Sequence, residues 1–215
     1  DIIQYVNDTT REVTTELMRC SEYLDVLIPR GGAGLIKAVL ANATVPVIET
    51  GVGNCHVFVD ESADLEMAVD IVDNGKTSRP SVCNALETLL VHKDIAETFL
   101  PAVKVALEKK NVVIKGCERT RKIISCQPAD EEDWKTEYLD YIISIKIVDS
   151  IEDAIDHINT YGSGHTDVIL SRSKDNISKF LKYVDSGDVF VNCSTRFSDG
   201  FRYGFGAEVG ISTNK

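Results

Sequence analysis

The sequence predicts an α/β protein with a parallel central sheet. Two observations carry this prediction. Short apolar segments rich in β-branched residues alternate along the 215-residue chain with segments whose apolar residues recur every three to four positions. Near the beginning, a strand, a glycine-rich turn, a helix and a second strand follow one another. That order is typical of a βαβ unit, in which the two strands are parallel.

The βαβ unit occupies the first fifty residues. Val13 and Leu17 are spaced by four on the first helix, and Pro29 stops the first strand. The predicted elements are a helix, a strand, a helix and a strand at residues 10–20, 24–28, 31–41 and 45–48. Gly51 and Gly53 then interrupt the pattern, which predicts a boundary between one domain of residues 1–50 and another of residues 51–215.

The second domain continues the alternation. Strands are predicted at residues 57–59, 88–91, 112–114, 142–148, 168–170 and 188–191. Helices are predicted at residues 64–72, 94–109, 150–159 and 174–184. Asp94 and Ser150 are the predicted N-caps of two of these helices. The polar stretch 116–137 predicts an irregular segment with a solvated acidic loop, and residues 201–210 predict a loop.

The charge and the cysteine usage exclude several functional classes. A net charge of −11 argues against a nucleic-acid partner, because phosphate backbones require a cationic surface. An anionic ligand would need local cations, for which the candidates are four residues in loop-like contexts, namely Arg30, Lys76, Arg79 and Arg196. No apolar stretch approaches the roughly 20 residues that span a membrane. Six dispersed cysteines favour a reducing compartment, the cytoplasm. The chain has no initiator Met, and we expect both of its ends to be cut from something longer.

Cys83 is the strongest candidate for chemistry. Turn-forming and polar residues precede it, Asn84 follows it, and Lys76 and Arg79 lie upstream. Positive charge favours the thiolate, which is the nucleophilic form of cysteine. From the residues alone, a packed or unreactive cysteine remains the alternative.

Four other segments carry weaker signals. The turn Arg30-Gly31-Gly32 opens a helix, where backbone N–H groups attract anions, although a simple tight turn explains it equally well. The segment 49–56 holds Glu49, Cys55 and His56 but too few ligands for a metal site, so no metal is predicted. His165 precedes a strand. Ser194, Thr195 and Arg196 follow one, and because ligands usually bind at the carboxyl ends of parallel strands, they are a candidate anion clamp.

The segment around Cys83, residues 79–92, reads RPSVCNALETLLVH and resembles the active-site signature of the γ-glutamyl phosphate reductase family, within the aldehyde dehydrogenase superfamily. Four further segments resemble the same family in the same order, at residues 27–32, 53–60, 161–167 and 194–213. The resemblance covers nearly the whole chain. It implies an aldehyde dehydrogenase-like fold in which residues 1–50 are the C-terminal part of a Rossmann-like, NADP-binding domain. Residues 51–215 would be the parallel-sheet catalytic domain that carries the nucleophilic cysteine.

The resemblance implies specific roles. Cys83 would be the nucleophile that accepts the acyl group of γ-glutamyl phosphate, and the Cys83 N–H and Asn84 would stabilise the oxyanion. Arg30, Gly31, Gly32 and Glu137 would contact NADP. His165, Ser194, Thr195 and Arg196 would hold the substrate's carboxylate or phosphate. Members of this family act in proline biosynthesis, and we expect a homo-oligomer with a functional link to glutamate 5-kinase.

Glu49 leaves the reaction type open. Acid-forming aldehyde dehydrogenases use a glutamate near this position to activate water against the thioester, whereas a phosphate-dependent reductase needs no such base. The sequence therefore allows a reductase, an acid-forming dehydrogenase with Glu49 as the base, or a non-catalytic domain that has kept the fold. We favour the reductase, with Glu49 in a structural or cofactor-facing position.

Overall fold

The computed structural model describes residues 3–211 and 213. They form two compact units, one of residues up to Thr50 and one of Gly51–Thr213. The division falls in the glycine-containing stretch where the sequence predicts a boundary. Two predictions lie partly outside the described residues. The two domain predictions include residues 1–2 and 214–215, and the last family motif includes Ser212.

The larger unit contains most of the regular structure. The α-helices of the described residues are α1 (Arg11–Leu17), α2 (Ala33–Asn42), α3 (Leu65–Thr77), α4 (Lys93–Glu108), α5 (Glu118–Ile123), α6 (Ile151–Tyr161) and α7 (Lys174–Tyr183). The strands are β1 (Cys55–Val59), β2 (Leu86–His92), β3 (Val113–Gly116), β4 (Gln127–Pro128), β5 (Ile142–Val148), β6 (Thr166–Leu170) and β7 (Asp188–Val191). None of the described helices is long and apolar enough to cross a membrane.

The smaller unit contains α1 and α2, and the two predicted strands of its βαβ unit are reduced to one β-bridge. Leu27 and Val47 form a single parallel bridge, closed by hydrogen bonds from Leu27 N to Pro46 O and from Ile48 N to Leu27 O. Ile28 and Ile48 are 43% and 52% exposed, whereas Val45 is 2% exposed, so the two predicted strands are only partly buried in this unit. Gly32 is the N-cap of α2.

The larger unit is built on a seven-stranded sheet, which confirms the predicted parallel α/β class. The strand order is β4-β3-β5-β2-β1-β6-β7, and every pair of neighbours is parallel. The central strands β1, β2 and β6 are buried along their whole length. Burial on both faces explains why they read in the sequence as continuous apolar segments.

Helices cover both faces of this sheet. On one face, α3 and α4 pack against alternate residues of the central strands, including Val57, Leu89 and Ile145. On the other face, α6 and α7 pack against the intervening residues, among them Phe58 and Leu90. The alternation of side chains along each strand thus supplies two hydrophobic cores from one sheet.

Three expectations about local structure are wrong. The segment 116–137 is not irregular throughout, because the Cys117 thiol accepts a hydrogen bond from Thr120 N and caps the short helix α5. Helix α4 is capped by His92, whose Nδ1 accepts from Asp94 N, and not by Asp94. Lys76 does not lie in a loop. It belongs to α3 and is fully buried.

Candidate active site

The loops that precede the central strands converge at the amino edge of the sheet. Cys55 and Leu86 are register partners at the starts of β1 and β2, so Asn54 and the loop carrying Cys83 lie at the same edge. The buried Cys55 thiol donates a hydrogen bond to the Cys83 carbonyl oxygen over 3.2 Å. On its other side, the Cys55 sulfur lies 3.8 Å from Nδ1 of His165, which precedes β6.

The segment that follows β7 also belongs to this edge. Because Ser194–Arg196 follow a strand, the sequence predicts them at the carboxyl ends, and this placement is wrong. The chain turns back after β7 and forms a 3₁₀ helix, Thr195–Phe197. The Ser198 hydroxyl then donates to Asp188 at the start of β7, and the Ser198 carbonyl accepts from Asn84 Nδ2 over 2.7 Å. The predicted clamp therefore meets the Cys83 loop at the amino edge.

Cys83 projects from a tight turn. The turn is closed by a hydrogen bond from Ala85 N to Val82 O, and Cys83 is exposed. Gly53 packs directly on it, since a Cβ added to Gly53 would lie 1.6 Å from the Cys83 carbonyl oxygen. Only glycine can occupy position 53 with the Cys83 backbone in this place. The nucleophile candidate thus combines an accessible thiol with a closely packed backbone.

Asn84 fixes this turn from the other side. Its side chain is 5% exposed, and its amide nitrogen donates to the Ser198 carbonyl. The amide oxygen Oδ1 is buried and has no hydrogen-bond partner among the described residues. The side chain therefore ties the Cys83 loop to the 194–198 segment.

Two arginines place positive charge beside Cys83. Burial and then the charge of Arg79 lower the pKa of Arg196, while Asp199 and Cys83 oppose this shift. The effects of Arg79 and Cys83 on Arg196 indicate that both lie near its guanidinium. Within residues 3–211, no carboxylate lies within ion-pair distance of either guanidinium. Two arginines that form no ion pair within the described residues suit an anion next to the thiol.

The other predicted substrate residues lie deeper. Ser194 and Thr195 are 4% and 0% exposed, and a Cβ on Gly75 of α3 would lie 3.6 Å from each hydroxyl oxygen. His165 is 1% exposed, and burial lowers its pKa, so the imidazole is mostly neutral at pH 7. Burial also raises the pKa of the Cys55 thiol, with smaller contributions from Asp167 and Cys83. Of the four predicted substrate residues, Arg196 is the accessible one.

Glu137 lies beside Gly53. Its Oε1 accepts a hydrogen bond from Gly53 N over 2.7 Å, and its Oε2 has no hydrogen-bond partner in the described part of the chain. Burial raises the pKa of Glu137, and the Gly53 N–H partly offsets this. One oxygen is thus anchored next to Cys83, and the other can accept from a bound hydroxyl.

The remaining predicted residues belong to the smaller unit. Arg30, Gly31 and Gly32 are exposed at the start of α2, and Glu49 is half-buried. Sequence reasoning missed two residues of the larger unit, Gly53 and Glu87. The sequence shows Gly53 only as a break in the pattern, and its contact with Cys83, like that of Glu87 with Lys76, joins separate segments of the chain.

Comparison with known proteins agrees with this geometry. The sequence model described as the aldehyde dehydrogenase family matches residues 1–122, so the chain belongs to that family. The gamma-glutamyl phosphate reductase of Caldicellulosiruptor bescii is 62% identical across 99% of this chain and 52% of its own length. That of Clostridium botulinum is 59% identical over the same shares of the two chains. The chain therefore spans about half the length of the curated relatives it matches.

Solved structures show the same relationship. The crystal structure of gamma-glutamyl phosphate reductase from Thermotoga maritima has a TM-score of 0.96 and 53% identity, covering 99% of this chain and 51% of that one. A propionaldehyde dehydrogenase from Clostridium phytofermentans is 23% identical and has a TM-score of 0.68, and the match covers 97% of this chain and 55% of that one. At this identity the likeness shows the fold alone. The resemblance predicted from the motifs is confirmed.

Proposed function

We propose that the intact protein reduces γ-glutamyl phosphate to glutamate 5-semialdehyde and phosphate with NADPH, the second step of proline biosynthesis. The observation that carries this proposal is the exposed Cys83 thiol with Arg79 and Arg196 beside it. A thiol nucleophile suits acyl transfer in general, and two arginines that form no ion pair within the described residues suit an acyl donor that carries a phosphate. The named relatives support the choice of substrate.

In this proposal the acyl group of the substrate is transferred from phosphate to the Cys83 sulfur. The thiolate attacks the acyl carbon, a carbon–sulfur bond forms, and the bond to the phosphate oxygen breaks. Arg79 and Arg196 stabilise the departing phosphate, and the Cys83 N–H donates to the oxyanion. NADPH supplies the hydride that reduces the thioester. The resulting hemithioacetal then releases the aldehyde, and the thiolate is regenerated.

The residues of this chain fit a nicotinamide cofactor at one point. The free Oε2 of Glu137 suits a ribose hydroxyl, because its partner oxygen is already held by Gly53 next to the nucleophile. Arg30, Gly31 and Gly32 at the start of α2 are the proposed phosphate-facing group of the smaller unit. The preference for NADP over NAD comes from the family resemblance.

The proposal includes a cytoplasmic location and a homo-oligomer that is functionally linked to glutamate 5-kinase. The six free cysteines support a reducing compartment. The negative net charge supports a role without nucleic acid.

Phosphate dependence tests the proposed reaction. In the oxidising direction, we expect the intact protein to form NADPH from glutamate 5-semialdehyde and NADP⁺ only when inorganic phosphate is present, because phosphate must discharge the thioester. The measurement is NADPH absorbance over a phosphate titration. Full activity without phosphate would contradict the proposal and would favour an acid-forming dehydrogenase with Glu49 as the base.

Replacing Arg196 tests whether this residue binds the phosphate. We expect Arg196→Met to raise the KM for phosphate by about tenfold, since one charge-assisted contact is lost. Arg119→Met is the matched control, because Arg119 pairs with Asp149 away from this edge of the sheet. An unchanged KM for phosphate in Arg196→Met would remove this residue from the anion site.

A further inference from the structure

A fully buried ion pair lies beneath the candidate active site. Lys76 of α3 donates from Nζ to Glu87 Oε2 over 2.6 Å, and both side chains are 0% exposed. Burial raises the pKa of Glu87 to about 7, and Lys76 opposes this shift. Removing both charges from water is costly, and apolar residues of similar volume often stabilise a fold as well or better. The pair therefore calls for an explanation other than stability.

The local geometry of β2 directs Glu87 toward the site. In the register between β1 and β2, Cys55 pairs with Leu86 and His56 pairs with Thr88. The register therefore shifts by one residue at Glu87, as it does at a β-bulge. Bulges occur beside active sites, where they change the direction in which a side chain points.

The second oxygen of Glu87 holds the segment that carries Glu137. Glu87 Oε1 accepts a hydrogen bond from Leu139 N over 3.2 Å. Leu139 has a φ of 55°, in the left-handed region that a branched residue rarely adopts without support. Two residues earlier, Glu137 holds Gly53 N, and Gly53 packs on Cys83. A continuous series of contacts therefore links the pair to the nucleophile.

We propose that Glu87 is a positioning residue that sets the orientation of Glu137, and that Lys76 is the counter-ion that balances its buried charge. One oxygen of Glu87 pairs with Lys76, and the other stabilises the Leu139 backbone, so that Glu137 is directed at Gly53 with Oε2 available for the cofactor. The identity of the ligand that Glu137 contacts rests on the proposed function. The positioning role rests on the hydrogen bonds of this chain.

Two double variants separate positioning from charge and packing. Lys76→Met with Glu87→Gln removes both charges but keeps a carbonyl oxygen that can accept from Leu139 N. Lys76→Met with Glu87→Met removes the charges and the acceptor at similar volume. Single replacement of Lys76 is avoided, because it leaves a buried carboxylate without its cation.

Equilibrium titration of NADP⁺ into the intact protein measures the effect without turnover. Relative to wild type, we expect the Met/Gln variant to keep its Kd within about threefold and the Met/Met variant to bind about tenfold or more weakly, the range for loss of an orienting contact. Urea unfolding shows whether each variant is folded under the titration conditions. Equal Kd values in the two double variants would overturn the positioning role.

Glu137→Ala distinguishes this inference from the proposed function. If its Kd for NADP⁺ equals that of the wild type, the route from Glu87 through Glu137 to the cofactor is overturned. If the Met/Gln and Met/Met variants differ as expected but the wild-type protein shows no reductase activity, the positioning role stands and the proposed reaction is wrong.

Discussion

Replacing Cys83 with alanine is expected to lower the turnover of the intact protein by about 10⁴-fold or more, because removing a covalent nucleophile eliminates the route through the thioester. Cys83 is exposed and lies in a loop, so its side chain contributes little to the core. The loss should therefore appear in kcat with the urea midpoint unchanged. Steady-state reduction of the acyl phosphate, measured beside an unfolding curve, checks both parts.

Cys126→Ala is the matched control for this experiment. Cys126 lies in the same unit, is not in a disulfide, and is a half-buried residue that packs against the hydrophobic core next to Gly116 of β3. We expect its activity to stay within about twofold of wild type, as for a small side chain outside a site. Turnover in Cys83→Ala equal to that of Cys126→Ala would exclude Cys83 as the nucleophile and would support a non-catalytic domain.

Gly53→Ala is expected to have the second-largest effect, about 100-fold on kcat, because a misplacement of about 1 Å in a reacting group can cost that much. The new Cβ would lie 1.6 Å from the Cys83 carbonyl oxygen and 2.5 Å from its Cα. These are backbone atoms and cannot rotate away, so the Cys83 turn must move. The same shift disturbs the bond from Gly53 N to Glu137.

The measurement is kcat for reduction together with the rate of Cys83 alkylation by iodoacetamide. Gly34→Ala serves as the control, because a Cβ at that position would meet nothing within 4 Å. It lies in α2, where alanine is the better helix former. If Gly53→Ala retained wild-type kcat and alkylation rate, the close packing of Gly53 on Cys83 would not matter for the chemistry.

Much of the fold could be predicted because its signals are local. The central strands are buried on both faces and read as apolar segments, and Ser150 caps α6 as its pattern predicts. Cys83 could be identified from the sequence because the residues around it are polar and turn-forming. In the structure it is exposed, as this context predicts. Such features depend on neighbours within a few positions, which a single sequence records.

The location of the site could not be predicted, because it depends on which segments distant in the sequence meet at the same edge of the sheet. Ser194–Arg196 follow a strand, yet Ser198 brings them back to the amino edge through its bonds with Asp188 and Asn84. Lys76 looked like a loop cation, but its helix extends to Thr77 and its charge is met by Glu87 on β2. Both features are set by tertiary contacts that leave no trace in local spacing.

The most direct test of the account is peptide mass spectrometry of the intact protein after incubation with glutamate 5-semialdehyde and NADP⁺ in the absence of phosphate. We predict a γ-glutamyl adduct on the peptide that contains Cys83, and its disappearance when inorganic phosphate is added. An adduct on a different residue, or one that water removes as quickly as phosphate does, would contradict acyl transfer between Cys83 and phosphate.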